Sequence, residues 1–309
     1  MRTTEPEENV TPSTRASGAD LTDRARVLVE ALPYLRRFRQ ALVVVKYGGA
    51  AMVSEELADS WARDVVLLEH VGLRVLIVHG GGPALTRTME RMGIATRFVE
   101  GHRVTDADTA EIAEMVLSGR INKQVVSRLN RAGGKAVGLS GTDAGMLRVA
   151  RHRPEGRDIG FVGQIEAVDT TPLSLLLEND YIPVLSSTAA DHLGQPHNIN
   201  ADLVAGAVAA AMRATKLIFL TDIAGVMKDG AVCSRLSRAE ARSLLDGEDL
   251  GGMRPKLEAA LAALAAGVEQ VHVVDGRQPH ALLLEVLTDR GVGTLLEPAP
   301  DRGEEGSAQ

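Results

Sequence analysis

The 309-residue chain has one cysteine, Cys233, so neither a disulfide nor a cysteine-based zinc site can form within it. Such usage fits a reducing cytoplasm. Aromatic residues are 3% of the sequence, which leaves alanine, leucine, valine and glycine to fill the core and suits a sheet under close-packed helices. No apolar run approaches the ~18 residues a membrane-spanning helix needs. Lysine and arginine number 34 against 41 acidic residues, for a net charge of −7, and no basic block is long enough to form a nucleic-acid face. Motifs for a serine or cysteine nucleophile, H-E-x-x-H and an EF-hand loop are all missing. Residues 1–20 lack the apolar centre of a signal peptide and are rich in Pro, Ser, Thr and Glu, so they are expected to be a disordered tail, as are residues 298–309.

Against these absences, one stretch stands out. LVVVKYGGAAM, Leu42 to Met52, is an apolar run, a lysine and a glycine pair. The run predicts a buried strand of a parallel sheet. Lys46 then stands at its C-terminal end, where open α/β sheets place ligands. Gly48 and Gly49 allow backbone N–H groups to approach an anion. A solvated lysine closing a core strand explains the same residues as well. Before this stretch, residues 21–39 form an amphipathic segment in which Val27, Val29, Leu32 and Leu35 share a face and Pro33 is expected to kink or break the helix. Such a helix either covers its own domain or exposes an apolar stripe to another copy.

After Met52 a helix begins with Ser54 as cap and ends at Gly72. A second buried strand, Leu73 to Val78, runs straight into HGGGP, His79 to Pro83, with Pro83 in the first turn of the next helix. Two strand-glycine turns in one sheet point to a phosphate clamp more firmly than either alone. Thr105 and Asp108 have capping-box spacing. Arg103, just before them, reads either as a surface arginine, the safer expectation, or as a bidentate partner for a carboxylate. Residues 146–168 are expected to form a small antiparallel lid. HNINAD, His197 to Asp202, sets Asn198, Asn200 and Asp202 around a helix start, either as caps or as a polar ligand set. An aspartate among lysines would stay ionised and orient them.

KLIFLTD, Lys216 to Asp222, repeats the strand pattern, and Ser237 with Glu240 has capping-box spacing. GGMRPK places Lys256 in the first turn of an alanine-leucine helix, a position the helix dipole disfavours unless an anion is shared there. The strand–helix alternation implies a mainly parallel sheet with helices on both faces. A boundary between an N-lobe, 40–190, and a C-lobe, 191–297, fits the later strand units.

VKYGG, VHGGGP, GHRVTD, HNINAD, KLIFLTDIAGV, GGMRPK and HVVDGRQPHALLLEVLTDRGVGT occur in this order. Together they resemble the acetylglutamate kinases of the amino-acid kinase family over residues 21–297. The resemblance implies an open, mainly parallel eight-stranded sheet sandwiched by helices. It implies transfer of phosphate from ATP, carried with Mg²⁺, to the γ-carboxylate of N-acetyl-L-glutamate, the second step of arginine biosynthesis. Position by position, Lys46 and Lys256 would stabilise the transferred phosphoryl group and Asp202 would hold both lysines. Gly81, Gly82, Arg103 and Asn198 would bind acetylglutamate, Gly48 and Gly49 would cradle phosphates, and Asp222 would mark the nucleotide side. EALPYLRRF resembles the N-terminal helix of arginine-inhibited members, which interlace dimers into a hexamer. Glu285 and Gly291 match positions of their L-arginine site. Some such enzymes also bind a signalling protein of the PII type, a partner on which this sequence is silent.

Two positions depart from the pattern. Ala50 stands where an asparagine is usual, and Thr142 where a lysine is frequent. They leave open a related kinase acting on aminoadipate or a carrier-bound amino acid. A non-catalytic arginine sensor is a third reading, although it would be expected to lose Lys46, Lys256 or Asp202.

Overall fold

The computed structural model describes residues 18–298 except 53, 100, 229, 248, 249, 289 and 290. The chain opens with α1 (Gly18–Arg37), then β1 (Leu42–Tyr47), α2 (Glu55–His70), β2 (Arg74–His79) and α3 (Gly82–Arg91). A short ribbon, β3 (Phe98–Val99) and β4 (His102–Arg103), precedes α4 (Ala107–Glu114), a π-helical segment (Met115–Ile121) and α5 (Asn122–Arg131). Next come β5 (Ala136–Leu139), the antiparallel hairpin β6 (Leu147–Arg151) and β7 (Gly163–Val168), α6 (Thr171–Glu178), β8 (Ile182–Ser186), and the pair β9 (Thr188–Ala190) and β10 (Pro196–Asn198). The last third comprises α7 (Ala201–Ala211), β11 (Lys216–Thr221), β12 (Met227–Lys228), β13 (Ala231–Val232), β14 (Arg235–Ser237), α8 (Arg238–Gly247), α9 (Arg254–Ala265), β15 (Gln270–Asp275), α10 (Ala281–Leu287) and β16 (Thr294–Glu297).

Eight strands form one sheet in the order β14-β16-β15-β11-β1-β2-β8-β5, parallel throughout except where β16 runs against β15. Val43, Val44 and Val45 of β1 are fully buried, and their alternation feeds two cores. Val44 packs with residues of α6, α7, α8 and α9 on one face. Val43 and Val45 pack with α2, α3, α5 and α10 on the other. The chain leaves β1 toward β2 and later returns to its opposite flank as β11. That reversal is where open α/β sheets bind ligands, beyond the C-terminal strand ends.

Several sequence expectations are corrected. Pro33 does not end α1: it removes one helical donor, but the helix closes again beyond it, with Phe38 N–H donating to Tyr34 O at 2.9 Å. α1 begins at Gly18, inside the tail expected for 1–20, while residues 1–17, residues 299–309 and the side chain of Val27 lie outside the described part. The cap of α4 is Asp106, which accepts from Thr109 N–H at 2.8 Å, not Thr105. Thr105 is fully buried and spends its hydroxyl on the Arg103 carbonyl. Strands β14 and β16 carry too few alternating residues to be seen in the sequence. The capping box of Ser237 and Glu240 is present, with reciprocal bonds of 3.0 and 3.2 Å.

Candidate active site

A cleft of about 460 Å³ opens at the C-terminal ends of β1 and β2. Lys46, Gly48, Gly49, Gly81, Gly82, Arg103, Asn198 and Asp202 all line it. Lys256 reaches it from the first turn of α9, and Asp222 follows β11 on the exposed side. The sheet thus gathers residues more than 200 positions apart around one opening.

Asp202 is the pivot. Asn200 caps α7, its Oδ1 accepting from the Asp202 N–H at 2.8 Å, which fixes the aspartate in the first turn. Asp202 Oδ1 lies 3.0 Å from Lys46 Nζ and Oδ2 lies 3.2 Å from Lys256 Nζ. Burial alone would raise the Asp202 pKa, but the two ammonium groups outweigh it and hold the carboxyl below the usual carboxylate range. One anion therefore orients two cations, and the trio keeps a net positive charge facing the cleft.

The glycines supply donors. Among the described residues, the amides of Gly48, Gly49, Gly81 and Gly82 donate to no backbone carbonyl. Gly49 has φ of +65°, open to glycine at little cost. A Cβ at Gly48 would sit 3.0 Å from Lys46 Nζ and crowd the ammonium group. A Cβ at Gly81 would come within 2.2 Å of Ile121 and 2.8 Å of Leu117, both in the π-helical segment that backs the turn.

Arg103 is not the surface arginine that its local sequence favours. It is 6% exposed, and it donates to Thr86 Oγ1 at 2.8 Å, Thr96 Oγ1 at 3.0 Å and Gly82 O at 3.2 Å. Its guanidinium also lies over the Phe98 ring, 4.9 Å from the centroid. No carboxylate pairs with it among the described residues, and burial pulls its pKa below the ordinary arginine value. A buried cation held in place by neutral groups is suited to an anionic ligand. Asn198, on β10, lines the same wall. The β6–β7 hairpin reaches this wall through Val162, which bridges to Asn198. Of the two departures, Thr142 is exposed and away from the cleft lining, and the side chain of Ala50 lies outside the described part.

A second pocket, also about 460 Å³, lies at the opposite ends of the strands, under α1. Glu285 and Gly291 line it with Tyr34, Arg37, Lys216 and His272, four residues that the sequence did not single out. Their signal was hidden because each is an ordinary strand or helix residue until the fold brings them together. Glu285 Oε1 pairs with His272 Nδ1 at 2.6 Å, and Oε2 accepts from the amides of Val292 and Gly293 at 2.7 and 3.1 Å. Burial drives Lys216 down to about 8, partly offset by Glu285. A Cβ at Gly291 would meet Glu285 Oε2 at 2.7 Å.

The profile of the amino acid kinase family matches residues 41–275. The chain is 52% identical over 280 residues to an acetylglutamate kinase of Thermosynechococcus vestitus, covering 89% of this chain and 94% of that one. It is 50% identical over 285 residues to an acetylglutamate kinase of Symbiobacterium thermophilum, covering 89% and 97%. Among solved structures, N-acetylglutamate synthase from Neisseria gonorrhoeae complexed with coenzyme A and N-acetyl-glutamate superposes with a TM-score of 0.80 at 27% identity, over 88% of this chain and 63% of that one. Carbamate kinase from Giardia lamblia bound to AMP-PNP shares the fold, with a TM-score of 0.61 at 14% identity over 84% and 98% of the two chains.

Proposed function

The chain belongs to the amino acid kinase family, and we propose that it is an ATP-dependent kinase of N-acetyl-L-glutamate that makes the γ-acyl phosphate in arginine biosynthesis. The observation that carries the reading is Asp202 holding Lys46 and Lys256 at the mouth of two glycine turns. The chemistry asks for little else. The acceptor carboxylate is already ionised, so its oxygen attacks the γ-phosphorus, the bond to the β–γ bridging oxygen breaks, and ADP leaves without any proton transfer. Catalysis is then alignment and charge neutralisation. Lys46 and Lys256 offset charge on the moving phosphoryl group, and Asp202 fixes their spacing. Gly48 and Gly49 donate to phosphate oxygens, while Gly81 and Gly82 donate at the acceptor side. Arg103 and Asn198 hold the α-carboxylate end. Mg²⁺ carried with ATP would be held mainly by phosphate oxygens and would supply neutralisation of their charge.

Gly81, Gly82 and Arg103 come from 40–190 and Asp222 and Lys256 from 191–297, which supports reading these as acceptor and nucleotide lobes, while Asn198 crosses to the acceptor wall and Gly48 and Gly49 to the phosphates; the enzyme is read as cytoplasmic. The second pocket is the site for L-arginine as inhibitor: it offers buried Glu285 to a guanidinium and Lys216 to a carboxylate. α1 exposes Val29 at 68% and Leu32 at 42%, which supports its reading as an arm joining dimers into a hexamer. A coupled ADP-release assay compares N-acetylglutamate, aminoadipate, aspartate and glutamate as acceptors. Turnover with N-acetylglutamate is expected, and turnover only with another acceptor rejects the assignment. An unchanged rate in millimolar arginine rejects the inhibitor site.

A further inference from the structure

The acceptor-side glycine turn is shaped by two side chains buried behind it. Gly80 N–H donates to Tyr47 O at 3.3 Å, Gly81 O accepts from Leu85 N–H at 2.9 Å, and Gly80 O lies 3.0 Å from His79 Nδ1. With these groups spoken for, the amides of Gly81 and Gly82 are the ones left to face the cleft that both residues line.

His79 is fully buried, and its Nε2 lies 3.0 Å from Nδ2 of Asn122, also fully buried, at the start of α5. Asn122 Nδ2 donates to Val184 O at 2.8 Å and more distantly to Leu139 O at 3.3 Å, while its Oδ1 accepts from Lys123 Nζ at 3.1 Å. Two carbonyl oxygens face this nitrogen, where an amide oxygen would be repelled, so the neighbours set the amide's orientation. Its two N–H groups go to the nearer partners, Val184 O and His79 Nε2, with Leu139 O the weaker third contact, and Nε2 must carry the lone pair. The ring proton sits on Nδ1 and points to Gly80 O. Burial keeps the ring neutral, driving its pKa down to about 4. In a planar trans peptide, a Gly80 carbonyl drawn to His79 turns the Gly81 N–H the opposite way, away from the buried ring.

We infer that His79, held in its Nδ1–H tautomer by Asn122, is a positioning residue that aims the Gly81 amide at the oxygen on which charge develops during transfer. The inference rests on the kinase reading of the cleft. A preorganised backbone donor is worth about 10²- to 10³-fold in kcat, and misaiming it forfeits part of that. His79→Leu is expected to lower kcat on the order of 10- to 100-fold with the acceptor KM nearly unchanged. In His79→Asn the amide nitrogen occupies the place of Nδ1 and keeps the bond to Gly80 O, so most of the kcat should return. Asn122→Asp places an acceptor against Nε2 and demands a proton there, so it should lower kcat with the fold intact.

The tests use the full chain. Long-range ¹H–¹⁵N spectra of the wild type at pH 7 should show His79 protonated on Nδ1 alone, and an Nε2-protonated or charged ring overturns the inference. So does near-normal kcat in a folded His79→Leu, or equal loss in the Leu and Asn variants. Should His79→Leu fail to fold, Asn122→Asp decides: a shifted tautomer with unaltered kcat overturns it. A wild type that phosphorylates no carboxylate would sink the kinase reading instead, with the tautomer still read independently by the spectra.

Discussion

Replacing Asp202 with asparagine keeps the side-chain shape and deletes one charge, which tests the centre of the proposed mechanism. Each lysine nitrogen lies close to one carboxylate oxygen, at 3.0 and 3.2 Å. Two ammonium groups seated on one carboxylate are on the order of 5 Å apart, where they repel by roughly 3 kcal/mol at an effective dielectric of ~20. In the wild type the carboxylate overcomes that repulsion. Asp202→Asn leaves it unopposed, so the lysines splay and lose their common target. A loss of about 3 kcal/mol at the transition state is a fall in kcat of about 10²-fold. Arg103 and Asn198 are untouched, so the acceptor KM should move by less than about threefold. The ADP-release assay with saturating ATP reads both constants. A folded variant within threefold of wild-type kcat would refute the reasoning. Stability supplies a second readout with a definite sign. Because the Asp202 pKa is depressed in the fold, its contribution is fully present above the unfolded aspartate value of about 3.9 and is lost as pH falls through the lower folded value. The stability gap between wild type and variant in urea titrations should be level from pH 7 to about 4 and narrow below it.

Arg103→Lys gives up the fork that meets Thr86, Thr96 and the Gly82 carbonyl, and should raise the acceptor KM by about tenfold or more with kcat little changed, as initial-rate kinetics would show. Gly81→Ala drives a methyl group into Ile121 and Leu117 and should lower kcat at least about tenfold, whereas Gly82→Ala, with nothing within 4 Å, should cost far less in the same assay. Glu285→Gln removes the buried carboxylate of the second pocket and should raise the arginine concentration for half-inhibition by about tenfold or more while leaving uninhibited kcat unaltered. Leu32→Asp on the exposed face of α1 should reduce the assembly to a smaller oligomer in sedimentation velocity, and an unchanged species would remove this face from the interface.

The parts of the fold legible in the sequence are those with a local cause. β1, β2 and β11 each carry an apolar run of four residues and β15 a shorter one interrupted by His272, each with a glycine or an acid within three residues of its end, and such runs need no partner to be recognised. The capping box of α8 and the Pro83 start of α3 depend on residues a few positions apart. Lys46 and Lys256 were legible as unusual placements of charge, but their meeting on Asp202 depends on strand order, which the motif series implied and local pattern alone did not. Arg103 shows the limit most clearly. Its neighbours in sequence say surface, and it is buried because the β3–β4 ribbon carries it against Gly82 and Thr86 of α3, with Thr96 and Phe98 alongside. The π-helical segment was equally invisible, because its period differs from an α-helix by too little to mark an apolar pattern over seven residues.

The two pockets lie at opposite ends of the paired strands β1 and β11. Lys216 opens β11 and pairs in register with Val43, while Lys46 pairs with Phe219 three residues on, a span of roughly 10 Å along the strands. The residues between are fully buried, and a close-packed interior shifts as a body rather than bending. Were arginine to inhibit from the Lys216 pocket, its effect would have to reach Lys46 either by moving both strands together or through α1, which packs on α10, which in turn packs on α2 behind β1. By either route such inhibition would be a coupling free energy between two sites, and coupling is reciprocal. If arginine weakens acetylglutamate binding by some factor, acetylglutamate weakens arginine binding by that same factor. An arginine effect confined to kcat escapes this constraint, so equilibrium titrations of each ligand in the presence of the other separate strand movement that reshapes the acceptor wall from movement that only misaligns the lysines.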